Sequence, residues 1–310
     1  MVAASSKKAV YAALFGNLGI AISKFVAAIM TGSVSMWAEA YHSSSDTVNQ
    51  ILLLVGIKAS TKKATYAHQF GFGKSQYFWS FIVATMIFGI SGVLALEQGI
   101  SSLLEGGHSV EDPTINYIIL AIAAVFEGNA LRVAFNVFKN GIKEQGKKIN
   151  YSTLVMEFKE SKDPTILTVI VEDSAALLGI FVAAIGIFMT DITGNVVYDA
   201  IASIIIGMIL MLFAFFLAKE NQALLLGESI TSKQYKKIVK AVKEIPEVNK
   251  VVTLRTMHLS PNDVLVGIQV NLINGLETDQ IETVTDRVEV KIMEVLPNAN
   301  RNHIFVELER

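Results

Sequence analysis

The chain contains no cysteine. Neither a disulfide framework nor a thiolate metal site can form, so any metal must be held by His, Asp, Glu, Asn or backbone oxygen. Charge is scarce too: only 17% of the 310 residues are Asp, Glu, Lys or Arg, against about 25% in a soluble domain. The deficit is uneven, because the charged residues gather in a few short segments and in the last quarter of the chain. Proline is sparse, five in all, and none interrupts a long apolar stretch, so each stretch can run as one helix. With a net charge of −2 and no basic tract, nothing points to nucleic acid. There is no HExxH-type helix and no nucleophile placed beside a base, which argues against an enzyme. No pair of Gly- or Pro-broken spans appears, which disfavours a transporter of organic substrates. MVAASSKK leads straight into an apolar run with no small-residue cleavage site after a short core, so no signal peptide is expected.

What is present is a series of apolar runs of membrane length. A bilayer core of about 30 Å needs roughly 20 residues of helix. Six spans are predicted, near 9–31, 34–57, 75–104, 114–138, 164–189 and 196–218. Pro113 and Pro164 stand at span starts, where a missing N–H costs nothing, and Asp163 is a natural N-cap. The 31–34, 105–113 and 190–195 loops lack Lys and Arg. The start carries Lys7 and Lys8, the 58–74 loop Lys58, Lys62, Lys63 and Lys74, and the 139–162 segment Lys139, Lys143, Lys147, Lys148, Lys159 and Lys162. This alternation places both termini in the cytoplasm; an integral membrane protein of the inner (plasma) membrane is expected, although the alternation itself does not say which membrane. A soluble all-α bundle is the weaker alternative, because both the apolar lengths and the charge alternation match a bilayer.

The chain divides into a six-span transmembrane domain, 1–220, and a cytoplasmic domain, 221–310. In the second, Lys233–Ile245 is amphipathic and predicts a helix. Val251–Leu259 and Val264–Leu272 alternate around the turn Ser260-Pro261-Asn262-Asp263 and predict a hairpin. A helix over Thr278–Leu296 and a strand over His303–Glu309 complete an α-β-β-α-β order, the pattern of a small ferredoxin-like α+β sandwich.

Ionisable groups at bilayer depth are costly and mark function by default. In span two, His42 and Asp46 are four apart and share a helix face, with Glu39 one turn before them. Imidazole and carboxylate together suit Zn²⁺ and related transition metals better than Mg²⁺ or Ca²⁺. The bland reading is a His–Asp hydrogen bond locking a helix interface, but the serines around the pair leave room for an ion. Span five carries Glu172 and Asp173, which point about 100° apart. One of them, Glu172 in the first place, is expected to hydrogen-bond to a neighbouring helix. Asn17, Lys24, Glu97, Glu127, Asn129 and Asp199 are further polar residues expected inside the bundle. Asn17 and Asp199 read as helix–helix hydrogen-bonding residues, Lys24 as one that can snorkel, and Glu127 as an accessory ligand or proton carrier.

These residues form a wider pattern. Ala38-Glu39-Ala40-Tyr41-His42-Ser43-Ser44-Ser45-Asp46 is followed by the loop His68-Gln69-Phe70-Gly71-Phe72-Gly73-Lys74. Asp173 is followed six residues later by Gly179, and Asp199-Ala200-Ile201-Ala202-Ser203 runs on to Gly207. In order and spacing, along nearly its whole length, the chain resembles the cation diffusion facilitator family. The zinc-transporter-like subgroup with a Glu–Asp pair in span five is the nearest in pattern.

The resemblance implies a homodimer that exports Zn²⁺ or a similar ion in exchange for protons across the lipid bilayer. It implies one tetrahedral intramembrane site per protomer, with two ligands four apart on each of spans two and five. His42 and Asp46 match the first pair, and Asp173 matches the second ligand of span five. The position four before Asp173 is Val169, which cannot bind metal. Glu172 and then Glu127 are the expected substitutes. Some members bind a further ion in the loop through paired histidines; here His68 stands and Phe72 replaces the other, so that site is expected to be absent or weak. The tail offers only His258, His303 and scattered carboxylates, so a strong binuclear site there is not expected. Fe²⁺, Mn²⁺, Co²⁺, Ni²⁺ and Cd²⁺ remain open as cargo. So does a metal-binding membrane sensor or scaffold that does not transport, which a flux assay separates from a carrier.

Overall fold

A computed structural model of the chain describes residues 2–106, 113–144, 148–297 and 299–309, with side chains given except for 2–15, 87, 88 and 144. The side chains of Lys7 and Lys8, all of Lys147, and residues 107–112 of the 105–113 loop lie outside the described residues. The chain forms two compact units, Met1–Gly56 with Trp79–Asn221, and Ile57–Phe78 with Gln222–Arg310.

The first unit is built from long helices. These are α1 (Val2–Thr31), α2 (Val34–Ser60), α3 (Ser75–Met86) joined through a π-helical turn (Ile87–Gly92) to α4 (Val93–Glu105), α5 (Thr114–Glu144), α7 (Pro164–Thr193) and α8 (Val197–Leu226). A short helix, α6 (Tyr151–Lys159), precedes α7. It falls in the basic 139–162 segment, between the fourth and fifth predicted spans, where no helix is predicted. Asn150 caps it through a hydrogen bond from the Thr153 N–H, and Phe158 packs edge-on against Phe138, 6.1 Å between ring centres.

Among the described residues, Ser75–Glu105, Thr114–Lys143, Pro164–Thr193 and Val197–Leu226 are long and apolar enough to cross a membrane, and Gly16–Thr31 is a shorter apolar helix. The helix α2 is as long, at 27 residues, or about 40 Å at 1.5 Å per residue. It falls short on apolarity because Glu39, His42, Asp46 and Asn49 lie along it. Helix ends follow local chemistry. Asp163 caps α7, accepting from the N–H groups of Thr165 and Ile166, with Pro164 in the first turn. Gly32, at φ 69°, takes the left-handed conformation that lets α1 stop and α2 start two residues later.

The pattern of exposure in this unit is inverted. Along α5, Ile118, Ile122, Val125 and Phe126 are exposed, as are Phe181, Ile185 and Phe188 on α7 and Leu212 and Phe215 on α8. Inside lie Lys24, Glu39, His42, Asp46, Glu127, Glu172 and Asp199. Exposed apolar surface on this scale has no stable place in water and fits hydrocarbon. Small residues bring the backbones together, as in other membrane bundles. A Cβ on Gly207 of α8 would lie 2.8 Å from the Leu96 backbone nitrogen, and one on Gly99 of α4 would lie 2.8 Å from the Ala200 carbonyl oxygen.

Two expected interior residues lie elsewhere. Glu97 and Asn129 are exposed. Helix geometry explains both, because residues two apart point about 200° away from each other. Gly99 faces α8, so Glu97 turns outward; Glu127 is buried, so Asn129 faces out. Asn17 is half-buried.

The second unit has conventional polarity. It contains α9 (Ser232–Lys243), β1 (Val248–Ser260), β2 (Asp263–Leu272), α10 (Thr278–Val295) and β3 (Ile304–Glu309). The sheet order is β1-β2-β3, with β1 and β2 antiparallel and β2 and β3 parallel. This is the expected α-β-β-α-β order, with α10 as the crossover that a parallel pair requires. Val264, Val266, Ile268 and Val270 alternate inward from β2 and meet Ile238 and Val242 of α9 and Val284, Val288 and Ile292 of α10. Each such burial stabilises by about 1.5–3 kcal/mol. The 58–74 segment folds with this unit. The Phe70 ring stands edge-on to His303, at 5.6 Å, and to Phe305.

Candidate functional site

The site is built on α2. His42 and Asp46 share a face, with His42 Nδ1 3.3 Å from Asp46 Oδ1. Both residues are buried. The contact does not reach hydrogen-bond geometry, and both ring nitrogens of His42 and Oδ1 of Asp46 lack a hydrogen-bond partner among the described residues. Buried polar atoms are rarely left in that condition, and here they are metal-ligating atom types.

Two contacts set α7 against α2. Gly179 lies so close to Glu39 that a Cβ there would collide with Glu39 Oε1. About two turns back along α7 from Gly179, Glu172 Oε1 accepts a hydrogen bond of 2.9 Å from Asn49 Nδ2. Moving from Glu39 to Asn49 along α2 therefore moves from Gly179 back to Glu172 along α7, so the two helices run antiparallel. Interpolation puts Asp46 level with Asp173 to within about one residue. Asp173 is half-buried, and its Oδ2 has no hydrogen-bond partner among the described residues. Glu172, Glu127, Asp173 and Lys24 all act electrostatically on Asp46.

Not every expected group is free to ligate. Glu172 is the residue bonded to a neighbouring helix, as the adjacent-acid pattern led one to expect. Glu127 is buried on α5, within electrostatic reach of Lys24 and Glu39. Val169 is half-buried, and beside it the buried Thr168 hydroxyl lacks a hydrogen-bond partner among the described residues. Among the described residues, no three His, Asp or Glu side chains stand close enough together to hold an ion.

Lys24 corrects the snorkelling expectation. Its side chain is fully buried, with Nζ 2.6 Å from Glu39 Oε2 and 2.8 Å from Ser43 Oγ. Its ammonium group finds both partners inside the bundle, on α2, so its stem has no reason to reach for an interface. Asn49 was passed over in the sequence, although it lies seven residues after His42 on the same stripe. Ser91, in the π-helical turn, donates to Ser45 Oγ at 3.0 Å, beside Asp46. No signal in a single sequence marks that pair.

Asp199 serves structure, as expected, in an unexpected way. It lies on α8 but caps α2, accepting from the N–H groups of Val34 (2.5 Å) and Ser35 (3.3 Å) and from the hydroxyls of Ser33 and Ser35. A carboxylate there satisfies otherwise orphaned donors and complements the positive end of the helix dipole.

In the second unit, the His68 ring lies against Phe72, 4.4 Å between centres. His303 Nδ1 is 2.9 Å from Asp263 Oδ2, and His258 is buried on β1.

Comparison with known proteins supplies the lineage. Residues 10–226 match the cation efflux transmembrane domain, and residues 230–310 match the cytoplasmic domain of cation efflux proteins. The chain is 36% identical over 236 residues to the human protein named proton-coupled zinc antiporter SLC30A9, mitochondrial, covering 76% of this chain and 40% of that protein. It is 29% identical over 258 residues to metal tolerance protein C4 of Arabidopsis thaliana, covering 83% of this chain and 55% of that one. An uncharacterized transporter of Methanocaldococcus jannaschii is 22% identical over 306 residues, covering 97% of this chain and 98% of its own length. The chain thus spans under half the length of the human relative. With the transmembrane and cytoplasmic domains matched in order along one polypeptide, the chain belongs to the cation efflux family of membrane transporters, not to a family of enzymes.

Proposed function

We propose that this protein is a proton-coupled antiporter that exports a divalent transition-metal ion, Zn²⁺ before others, through a site shared by α2 and α7. One observation carries the reading: buried imidazole nitrogens and carboxylate oxygens of His42, Asp46 and Asp173 lack hydrogen-bond partners in a bundle with an apolar outer face. The name of the human relative supports both the metal and the proton coupling.

His42, Asp46 and Asp173 are the ligands. Glu172, on release of its hydrogen bond from Asn49, and then Glu127 are the residues to fill the corner left by Val169. Since no three of these groups stand within ligating reach of one ion in this structure, loading the ion draws α2 and α7 together around it. Zn²⁺ binds neutral imidazole and ionised carboxylate, and protons compete for those atoms. Release outward leaves the ligands to take up protons, and the protonated site returns inward. Exchange is then a property of the ligands and needs no separate relay. The reading includes a homodimer, a location in the inner (plasma) membrane and, in line with the lysine pattern, both termini on the cytoplasmic side. The cytoplasmic domain serves dimerisation.

The test is metal-driven proton flux in proteoliposomes holding the full chain. Asp46→Ala and Asp173→Ala are each expected to abolish it, and normal flux in both would sink the assignment. Zn²⁺ competition against Mn²⁺ and Cd²⁺ in Glu172→Ala and Glu127→Ala separates the two substitutes, because the residue whose loss leaves affinity unchanged is not a ligand.

A further inference from the structure

The mechanism above leaves a fully buried cation unused. Lys24 of α1 is fully buried and holds Glu39 at 2.6 Å and Ser43 at 2.8 Å. Those partners flank His42 within a single turn of α2. Glu39 also lies seven residues before Asp46, so Glu39, His42 and Asp46 occupy one stripe of the helix. A free Glu39 carboxylate would therefore stand as an additional oxygen donor on the ligand face.

Its charge is already paired and its direction set: Lys24 takes Oε2, while Oε1, which has no hydrogen-bond partner among the described residues, is turned onto α7 at Gly179, the one residue type that leaves space for it. The Phe25 ring, one residue on from Lys24, stands edge-on to Trp37 at 5.7 Å and to Tyr41 at 6.1 Å, fixing α1 against α2 at this level. A buried ion pair is weak evidence for stability, since desolvation offsets most of its attraction; its better-attested use is to impose one arrangement over another. The arrangement imposed here is a carboxylate held away from the metal.

We infer that Lys24 is a specificity-determining positioning residue: by pairing with Glu39 it keeps a further carboxylate, beyond those of the proposed site, out of the coordination sphere. The inference rests on the ligand assignment proposed above. Its chemical consequence is selectivity. An added carboxylate makes a site harder and more favourable to Mn²⁺, whereas a set mixing imidazole with few carboxylates favours Zn²⁺. The pair also keeps the local charge neutral, so Lys24 does not repel an arriving cation.

The experiment is calorimetric titration of the purified full chain in detergent with Zn²⁺ and, separately, Mn²⁺. Wild type, Lys24→Met, Glu39→Gln and the double variant Lys24→Met/Glu39→Gln are compared. Lys24→Met releases Glu39, and the ratio of Zn²⁺ to Mn²⁺ affinity is expected to fall about tenfold, the equivalent of 1.4 kcal/mol. Glu39→Gln leaves the cation uncompensated, and both metals are expected to weaken about tenfold or more. The double variant removes both charges and is expected to recover both the affinities and the ratio to within about threefold. A purely structural pair would lower both affinities together in Lys24→Met and leave the ratio unmoved, which overturns the inference. Should Lys24→Met fail to fold, the comparison of Glu39→Gln with the double variant still decides: no recovery overturns it. Asp46→Asn distinguishes the two levels. Metal binding indifferent to Asp46→Asn removes the ligand assignment itself, while binding that needs Asp46 but ignores Lys24 removes this inference alone.

Discussion

The two units of this chain solve opposite problems with the same twenty side chains. In the C-terminal unit, β2 sends Val264, Val266, Ile268 and Val270 inward and its charged residues stay at the surface, as with Arg301 bonded to Asp286 and Glu289. In the helical unit the interior holds lysine, histidine and five acids, and the outer faces carry isoleucine, valine and phenylalanine. Water drives the first arrangement, because burying apolar surface stabilises it. In hydrocarbon that drive is absent, and each buried polar group must find a partner or a cargo. The difference shows where to look for function. A buried acid in the C-terminal unit would be an anomaly; in the helical unit, the informative groups are those still lacking a partner.

That contrast can be broken most sharply by exchanging the two chemistries. Ile268→Asp places an unpaired carboxyl in the apolar core of the C-terminal unit, at an expected cost of about 4 kcal/mol or more. Limited proteolysis of the full chain should then cut within residues 222–310 while leaving the helices protected; unchanged protection there would contradict the core assignment. Asp199→Ala tests the converse, that a buried acid stabilises the helical unit. The N–H groups of Val34 and Ser35 lose their acceptor, and a loss of about 2–4 kcal/mol is expected, read as a lower thermal midpoint in detergent. A midpoint equal to wild type would mean that the cap carries no weight.

The smallest effect concerns an exposed pair of the C-terminal unit. Arg287, 2.7 Å from Glu247, bonds its carboxylate and holds that carboxyl below its ordinary value. A lowered folded-state value contributes stability above the unfolded value, near about 4.3, and loses it as pH falls through the folded one. Glu247→Gln should therefore lower stability slightly at neutral pH and leave it unchanged at low pH, which flattens the acid limb of the profile. A steeper acid limb in the variant would reverse the sign.

Legibility in the sequence followed the same divide. Local features were readable: the His42–Asp46 spacing, the Asp163 cap with Pro164, and the alternation of β2 each lie within one element. Four of the predicted apolar stretches, seen as Ser75–Glu105, Thr114–Lys143, Pro164–Thr193 and Val197–Leu226, and the α-β-β-α-β order were readable for the same reason. The roles of Lys24, Asn49 and Asp199 were not, because each is defined by a partner on another helix, 15, 123 and 165 residues away. Gly179 and Gly207 were visible as motif positions, but their meaning is a distance between backbones. The π-helical turn at Ile87–Gly92 left no mark in an apolar run that reads equally well as an unbroken helix. The α6 helix was hidden by its length, since its nine residues are too few for a period to stand out.

The capping of α2 by Asp199 also has a mechanical meaning. The two-residue link at Gly32 already couples α1 to the start of α2, and Asp199 fastens α8 to the same spot. Three helices are thus knotted at one end, while His42 and Asp46 sit two to three turns down the shaft. If α2 swings toward α7 about that anchored end, the arc grows with distance from it, so the helix behaves as a lever with its fulcrum at Val34. A small rotation there would be felt least at Glu39 and most beyond Asn49, which makes the far end of α2 the place to attach a probe that reports the stroke.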